Sequence, residues 1–144
     1  MVVTRGGSKR SRERNVLLDR CVPPSIIRAL NHFQITVRTL EDVYPGRSED
    51  VQDVEWIRDC GQHGWLGLTQ NFLIGHTPIE KAAIRESGAQ VVTYTSANLA
   101  ADTRAMIYGR HLLTIRRHCR VPGPGLWKLY HDRIEQVDLS ATRP

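Results

Sequence analysis

Three short segments of the chain carry side chains that could together hold a divalent cation. Val16-Leu17-Leu18 is followed at once by Asp19-Arg20. A continuous apolar run this short reads as a strand buried in a parallel sheet. The Asp19 carboxylate then falls at the strand's C-terminal end, where open α/β sheets place their sites. A carboxylate there is costly unless it is paired, caps a helix or binds a cation. Its ordinary roles would be to cap the next helix or to pair with Arg20 or Arg28. Asp53 opens the segment Val54-Glu55-Trp56-Ile57. It can cap that helix, with Glu55 suiting the helix dipole, and a helix-start carboxylate can also face a strand end across a crevice. Trp65-Leu66-Gly67-Leu68-Thr69-Gln70-Asn71 reads as another strand end. There Thr69 can hold a carboxylate or phosphate through its hydroxyl. Asn71 can offer an amide oxygen to a hard cation, but brings no negative charge. Glu41 and Asp42 follow a further strand and could reach the same crevice, although acids after a strand are common in loops. Together these residues describe an acidic metal site assembled from separate strand ends and a helix start.

A competing constellation is weaker. Cys60-Gly61-Gln62-His63 and His118-Cys119 could be drawn as a zinc site. Only the first pair has workable spacing, and adjacent residues on a helix project in different directions. Cys60 reads as a core residue. No nucleophile elbow is present. Gly123 and Gly125 lie in a Pro-Gly-Pro-Gly chain stop, not in a phosphate loop.

The elements that would position the acids alternate. Strands are expected at about 15–19, 35–40, 65–69 and 90–95. Helices are expected over about 24–33, from Asp53 to the glycines at 61 and 64, over 78–87, and over 98–119. Residues 44–50 read as a loop around Pro45-Gly46. In the long late helix Leu99, Met106, Ile107 and Leu113 are the core candidates. After the stop at 122–125, residues 126–130 and 133–139 read as a hairpin with His131-Asp132 at its turn. Alternating strands and helices of this length argue a parallel α/β sheet. One domain over 15–139 is expected, with a disordered basic tail over 1–14 and a loose C-terminal tail over 140–144.

Charge narrows the partner. The chain has a formal net charge of +5, which favours a polyanion. Seven of its 15 acidic residues nevertheless fall between Glu41 and Asp59. Arginines crowd the first fourteen residues and the late helix, from Arg104 to Arg120. Acids that hold cations, flanked by bases that hold phosphates, suit a metal-binding nuclease. A solvated surface of uneven charge is the plainer alternative. No apolar run is long enough to span a membrane. Three cysteines with no secretory signal favour free thiols and a cytoplasmic location.

In order and spacing, these segments resemble the PIN-like nuclease superfamily, specifically its compact VapC-type toxin group. The matching pieces are Leu17-Leu18-Asp19-Arg20, Val37 to Tyr44, Asp53-Val54-Glu55-Trp56-Ile57, Gly64 to Asn71, Ser96 to Leu99 and Pro122 to Gly125. The resemblance implies a PIN-like parallel sheet flanked by helices, ending in a hairpin or edge strand. It implies a metal-dependent endoribonuclease using one or two Mg²⁺ or Mn²⁺ ions, often a toxin neutralised by an antitoxin. By position, Asp19 matches the first-strand acid and Asp53 the acid before the Trp-containing helix. Both are the expected catalytic and metal-binding residues, with Asn71, Glu41 and Asp42 as further candidate ligands. Thr69, Arg20 and Arg104 are the expected RNA contacts. Asn71 stands where the family usually has Asp, and Gln70 where it usually has Lys. The alternative is therefore a weakened or inactive PIN-like protein that binds RNA or a protein partner. A surface-charged interaction protein is a third reading. The expected partners are RNA and a cognate antitoxin protein, with a homodimer as an open option and no membrane.

Overall fold

The computed structural model describes residues 14–20, 24–71, 73–94 and 100–140. The first apolar run forms β1 (Asn15–Leu18), and α1 (Pro24–His32) and β2 (Thr36–Thr39) follow. A short helix α2 (Leu40–Val43) and a 3₁₀ turn (Ser48–Asp50) lead into α3 (Asp53–His63). Then come β3 (Leu66–Thr69), α4 (Pro78–Ser87), β4 (Gln90–Tyr94), α5 (Ala101–His118), β5 (Gly125–Leu129) and β6 (Ile134–Gln136). The strands form one six-stranded sheet in the order β2-β1-β3-β4-β5-β6. All neighbours are parallel except β5 and β6.

The strand order fixes where a site can form. From β1 the chain crosses to β2 on one side and then returns to add β3 on the other. The two crossovers diverge between β1 and β3, and the crevice this opens at the carboxyl ends is the usual ligand position in open α/β sheets. Register brings Leu18 beside Leu68, so Asp19 and Thr69 meet at that point.

Alternation along each strand divides the core between two helical layers. Val16, Leu18, Leu66 and Leu68 pack with Ile26 and Leu30 of α1 and with Ile107, Tyr108 and Ile115 of α5. Leu17 and Val91 face the opposite way, onto Trp56, Ile57 and Cys60 of α3 and Ala83 and Ile84 of α4. Gly67 in β3 gives the Trp56 ring its place, because a Cβ there would stand 2.7 Å from that ring. Gly67→Ala is expected to cost about 1–3 kcal/mol through overpacking. Thermal melting would read this as a Tm lower by several degrees.

The structure departs from the sequence expectations in five places. Leu40 is not the end of β2. Thr39 accepts a hydrogen bond from the Asp42 amide, and the Asp42 side chain accepts one from the Thr39 amide. This capping box starts α2 and leaves Leu40 buried. The 44–50 loop contains the 3₁₀ turn, and Gly61 lies inside α3, which Gly64 ends in the left-handed conformation with φ 73°. Met106 and Leu113 are 60% and 63% exposed. Ile107, Tyr108, His111 and Ile115 form the buried face of α5 instead. The hairpin is present with its turn at His131-Asp132, but β6 ends at Gln136. The tail at 1–13, the end at 141–144 and the 95–99 segment with Leu99 lie outside the described residues.

Candidate active site

Asp19 stands immediately beyond β1 and is buried. Its backbone amide donates to the Leu68 carbonyl at 2.9 Å, prolonging the β1–β3 ladder by one residue. One carboxylate oxygen accepts from the Arg20 amide at 2.7 Å and the other from the Thr69 hydroxyl at 2.7 Å. Thr69, itself fully buried, also accepts from the Asn71 amide at 2.9 Å. The β3 end therefore orients the β1 carboxylate.

Asp53 occupies the first turn of α3 but does not cap it. The cap position is Gln52, which makes no side-chain capping bond. Instead the Asp53 carboxylate accepts from the Trp56 indole at 3.0 Å and from the Asn71 side-chain amide at 3.4 Å. Burial pushes the Asp53 pKa up from its ordinary 3.8, and the nearby Asp19 charge adds to the rise. The Trp56 bond, Arg20 and the Asn71 amide act against it. The two carboxylates thus feel each other's charge, but burial is the chief cause of the rise, and the Trp56 bond outweighs the Asp19 repulsion.

Asn71 is held on every side. Its Oδ1 accepts from the Leu73 amide at 3.0 Å, and its carbonyl accepts from the Thr93 hydroxyl at 2.9 Å. Arg20 is exposed, but its guanidinium is engaged. Its guanidinium donates to the Ser48 and Val51 carbonyls at 2.9 and 3.0 Å, tying the 3₁₀ turn to the end of β1. Glu41 accepts from the Gly46 amide and the Ser48 hydroxyl, and these bonds, the first above all, hold its pKa below the ordinary value. Asp42 serves the capping box. Both acids are engaged in the α2 segment, and no bond joins them to Asp19 or Asp53 among those described. Arg104 is on α5, and its side chain lies outside the described set.

Two contributors are missing from the sequence reading. Trp56 positions Asp53 through a D-x-x-W spacing, which brings i and i+3 together on one helical face. Thr93 reaches from β4 to the Asn71 backbone, a contact that only the strand order reveals. The residues of the weaker zinc constellation do meet, but not as a metal site. Cys60, His63, His118 and Cys119 all line one cavity of about 560 Å³ at the other end of the sheet. No group of three or more His, Cys, Asp or Glu able to hold a metal forms among the described residues. Cys60 and Cys119 are buried free thiols, and burial pushes both pKa values up, Cys119 to about 12.

The donor set at Asp19 and Asp53 fits a hard divalent ion of modest affinity. It offers oxygen ligands only, with two carboxylates. Mg²⁺ commonly binds through one or two carboxylates and keeps several waters. A cation would also stabilise the charged form of Asp53, which burial first and the Asp19 charge after it disfavour. The site lacks a third charge, because Asn71 is neutral.

A family model described as "PIN like domain" matches residues 14–96, a span that contains Asp19, Asp53, Thr69 and Asn71. The chain is also similar to a protein of Mycobacterium tuberculosis (strain ATCC 25618 / H37Rv) described as "Putative ribonuclease VapC45". The two are 25% identical over 114 residues, covering 79% of this chain and 81% of that protein. No solved structure matches the chain significantly.

Proposed function

The chain belongs to the PIN-like domain family, and we propose that it is a Mg²⁺- or Mn²⁺-dependent endoribonuclease of the toxin–antitoxin type. The observation that carries this reading is the Asp19–Asp53 pair at the switch point between β1 and β3. The name of the mycobacterial relative supports ribonuclease activity and the VapC type.

Asp19 and Asp53 would hold the ion, with Asn71 and Thr69 framing it. When bound, such an ion lowers the pKa of water and stabilises charge on the scissile phosphate. The chain's own contribution is orientation. Thr69 and the Arg20 amide fix the Asp19 carboxylate. Trp56 fixes Asp53, and Arg20 adds a positive charge beside the pair while it anchors the 3₁₀ turn. Arginine side chains around the crevice would hold RNA phosphates, contacts that position a strand without reading its sequence. A cytoplasmic location belongs to this reading. No helix among the described residues is long and apolar enough to cross a membrane.

The test is cleavage of an end-labelled RNA in Mn²⁺ and in EDTA. Cleavage that requires Mn²⁺ is expected. A folded protein that cuts no RNA under either condition would favour the second reading, a non-catalytic PIN-like protein that binds RNA or a protein. That alternative has its own observation, since the Asn71 amide already gives Asp53 a neutral partner where a third acid would draw in a cation.

A toxin-type nuclease should also be held by an antitoxin. Gentle native purification is expected to recover a small partner protein that suppresses cleavage. Recovery of the bare chain alone would count against the toxin assignment.

A further inference from the structure

The end of the sheet remote from Asp19 carries a cavity of about 560 Å³ that the proposed chemistry does not use. It opens at the N-terminal ends of the strands, where Asn15, Leu66 and Gln90 begin β1, β3 and β4. The length of β1 puts it about 13 Å from the acidic pair, at ~3.3 Å per residue. Its rim is basic. Arg38 donates to the Asn15 side chain at 2.7 Å. Arg14 donates to the Arg116 carbonyl at 3.3 Å, and Arg120 lines the cavity itself. Burial first, then the charges of Arg116 and Arg120, lower the Arg14 pKa, so these guanidinium groups feel one another. No described residue lining the cavity is acidic.

The plain explanation is that these bases only offset helix dipoles, because α3, α4 and α5 all end at the cavity and α1 ends beside Arg116, which donates to the Phe33 carbonyl at 2.9 Å. The magnitudes do not support that. Each helix C-terminus carries about half a negative charge, so these four ends together balance about two of the four arginines.

The wall beside the charge is aromatic. Trp65 stacks on His63 with centroids 4.2 Å apart and planes 12° apart. The Arg38 guanidinium lies 5.0 Å from the Trp65 ring centroid. His63 is exposed, and its Nδ1 is tied to the Asp59 carbonyl at 2.9 Å, so the ring is held in its stacked orientation. Alternating cations and flat rings beside a cavity are what single-stranded nucleic acid requires. Phosphates take the guanidinium groups, and a base extends the stack. An acidic peptide would use the charge but would have no need of the held aromatic face.

We infer that this basic pole is a second RNA-binding surface. It takes a single strand with phosphates on Arg14, Arg38 and Arg120 and one base against His63 and Trp65, at the mouth of the cavity. The inference rests on RNA as the substrate class proposed above, and it places a grip on the strand away from the cleavage site.

The test is fluorescence anisotropy of a labelled single-stranded RNA with the full chain in EDTA, where binding is read without metal or cleavage. The double variant Arg38→Glu, Arg120→Glu is expected to weaken binding at least about tenfold. The slope of log affinity against log salt should flatten by about 1.4, since each single-strand phosphate contact contributes about 0.7. His63→Ala, at an exposed position, should weaken binding about five- to hundredfold through lost stacking. Arg58→Glu, exposed on α3, is the control and should change little. An unmoved affinity in a double variant that melts like the natural protein overturns the inference, as does an equal loss in Arg58→Glu. Loss of a protein partner with RNA binding unmoved overturns it too, and marks the pole as a protein-docking face. Mn²⁺-dependent cleavage with a pole-insensitive affinity sinks this inference alone. Pole-dependent binding without cleavage sinks only the nuclease reading.

Discussion

Asp19→Asn is expected to fold like the natural protein and to lose RNA cleavage by at least about a hundredfold, since even outer partners of metal sites commonly cost ten- to hundredfold. The fold should survive because the asparagine has nearly the volume of the aspartate. Its amide oxygen can still accept one of the two bonds from the Arg20 amide and the Thr69 hydroxyl. The Thr69 hydroxyl can rotate to accept from the new amide nitrogen. What disappears is the charge. An ion site with Asp53 as its only carboxylate would hold a divalent cation poorly. Circular dichroism and melting would establish the fold, and cleavage of labelled RNA in Mn²⁺ would read the loss. Undiminished cleavage by the pure variant would remove Asp19 from the mechanism.

Much of this site is legible in the sequence, for physical reasons. Asp19 and the 69–71 segment follow short apolar runs, and a run buried on both faces must end where the sheet ends. The position of Asp53 is equally plain, but its role is not. A carboxylate in the first turn of a helix ordinarily caps or serves the dipole, whereas here Trp56 and Asn71 claim it. The capping box at Thr39 and Asp42 is visible as a T-x-x-D spacing, but the apparent strand preceding it hides its meaning. The phase of α5 is not legible. Its apolar residues fall on more than one face, and only the packing of Tyr108 and His111 against the sheet decides between them. The meeting of His63 with His118 at one cavity depends on which helices end at the same edge, which is a property of strand order.

Asn71→Asp is the second large expectation, and it has opposite signs with and without metal. In EDTA the new carboxylate replaces the amide that now donates to Asp53 and sets a third negative charge beside Asp53 and Asp19. At an effective dielectric constant suited to partly buried groups, that repulsion costs about 2–3 kcal/mol, limited by proton uptake. The Tm should fall by about 6–12 °C. The sign of the pH dependence follows from Asp53, whose pKa is already raised by burial and by Asp19. A carboxyl with a raised folded pKa leaves stability intact below its ordinary value, here 3.8, and loses it as pH rises through the folded value. The Tm deficit of Asn71→Asp should therefore be larger near pH 7.5 than near about pH 4.5. With Mn²⁺ the same charge becomes a ligand. Affinity should rise about tenfold, equivalent to about 1.4 kcal/mol, with melting restored and cleavage faster. A variant indifferent to Mn²⁺ in both melting and binding would place Asn71 outside the site.

Asp19 and Asp53 are expected to share one divalent ion at the β1–β3 switch point. Calorimetric titration of Mn²⁺ into the natural protein, Asp19→Asn and Asp53→Asn reads this. Saturable binding is expected in the natural protein and should be lost in both variants while their folds persist. Binding of equal strength in all three proteins would place the ion elsewhere than between Asp19 and Asp53.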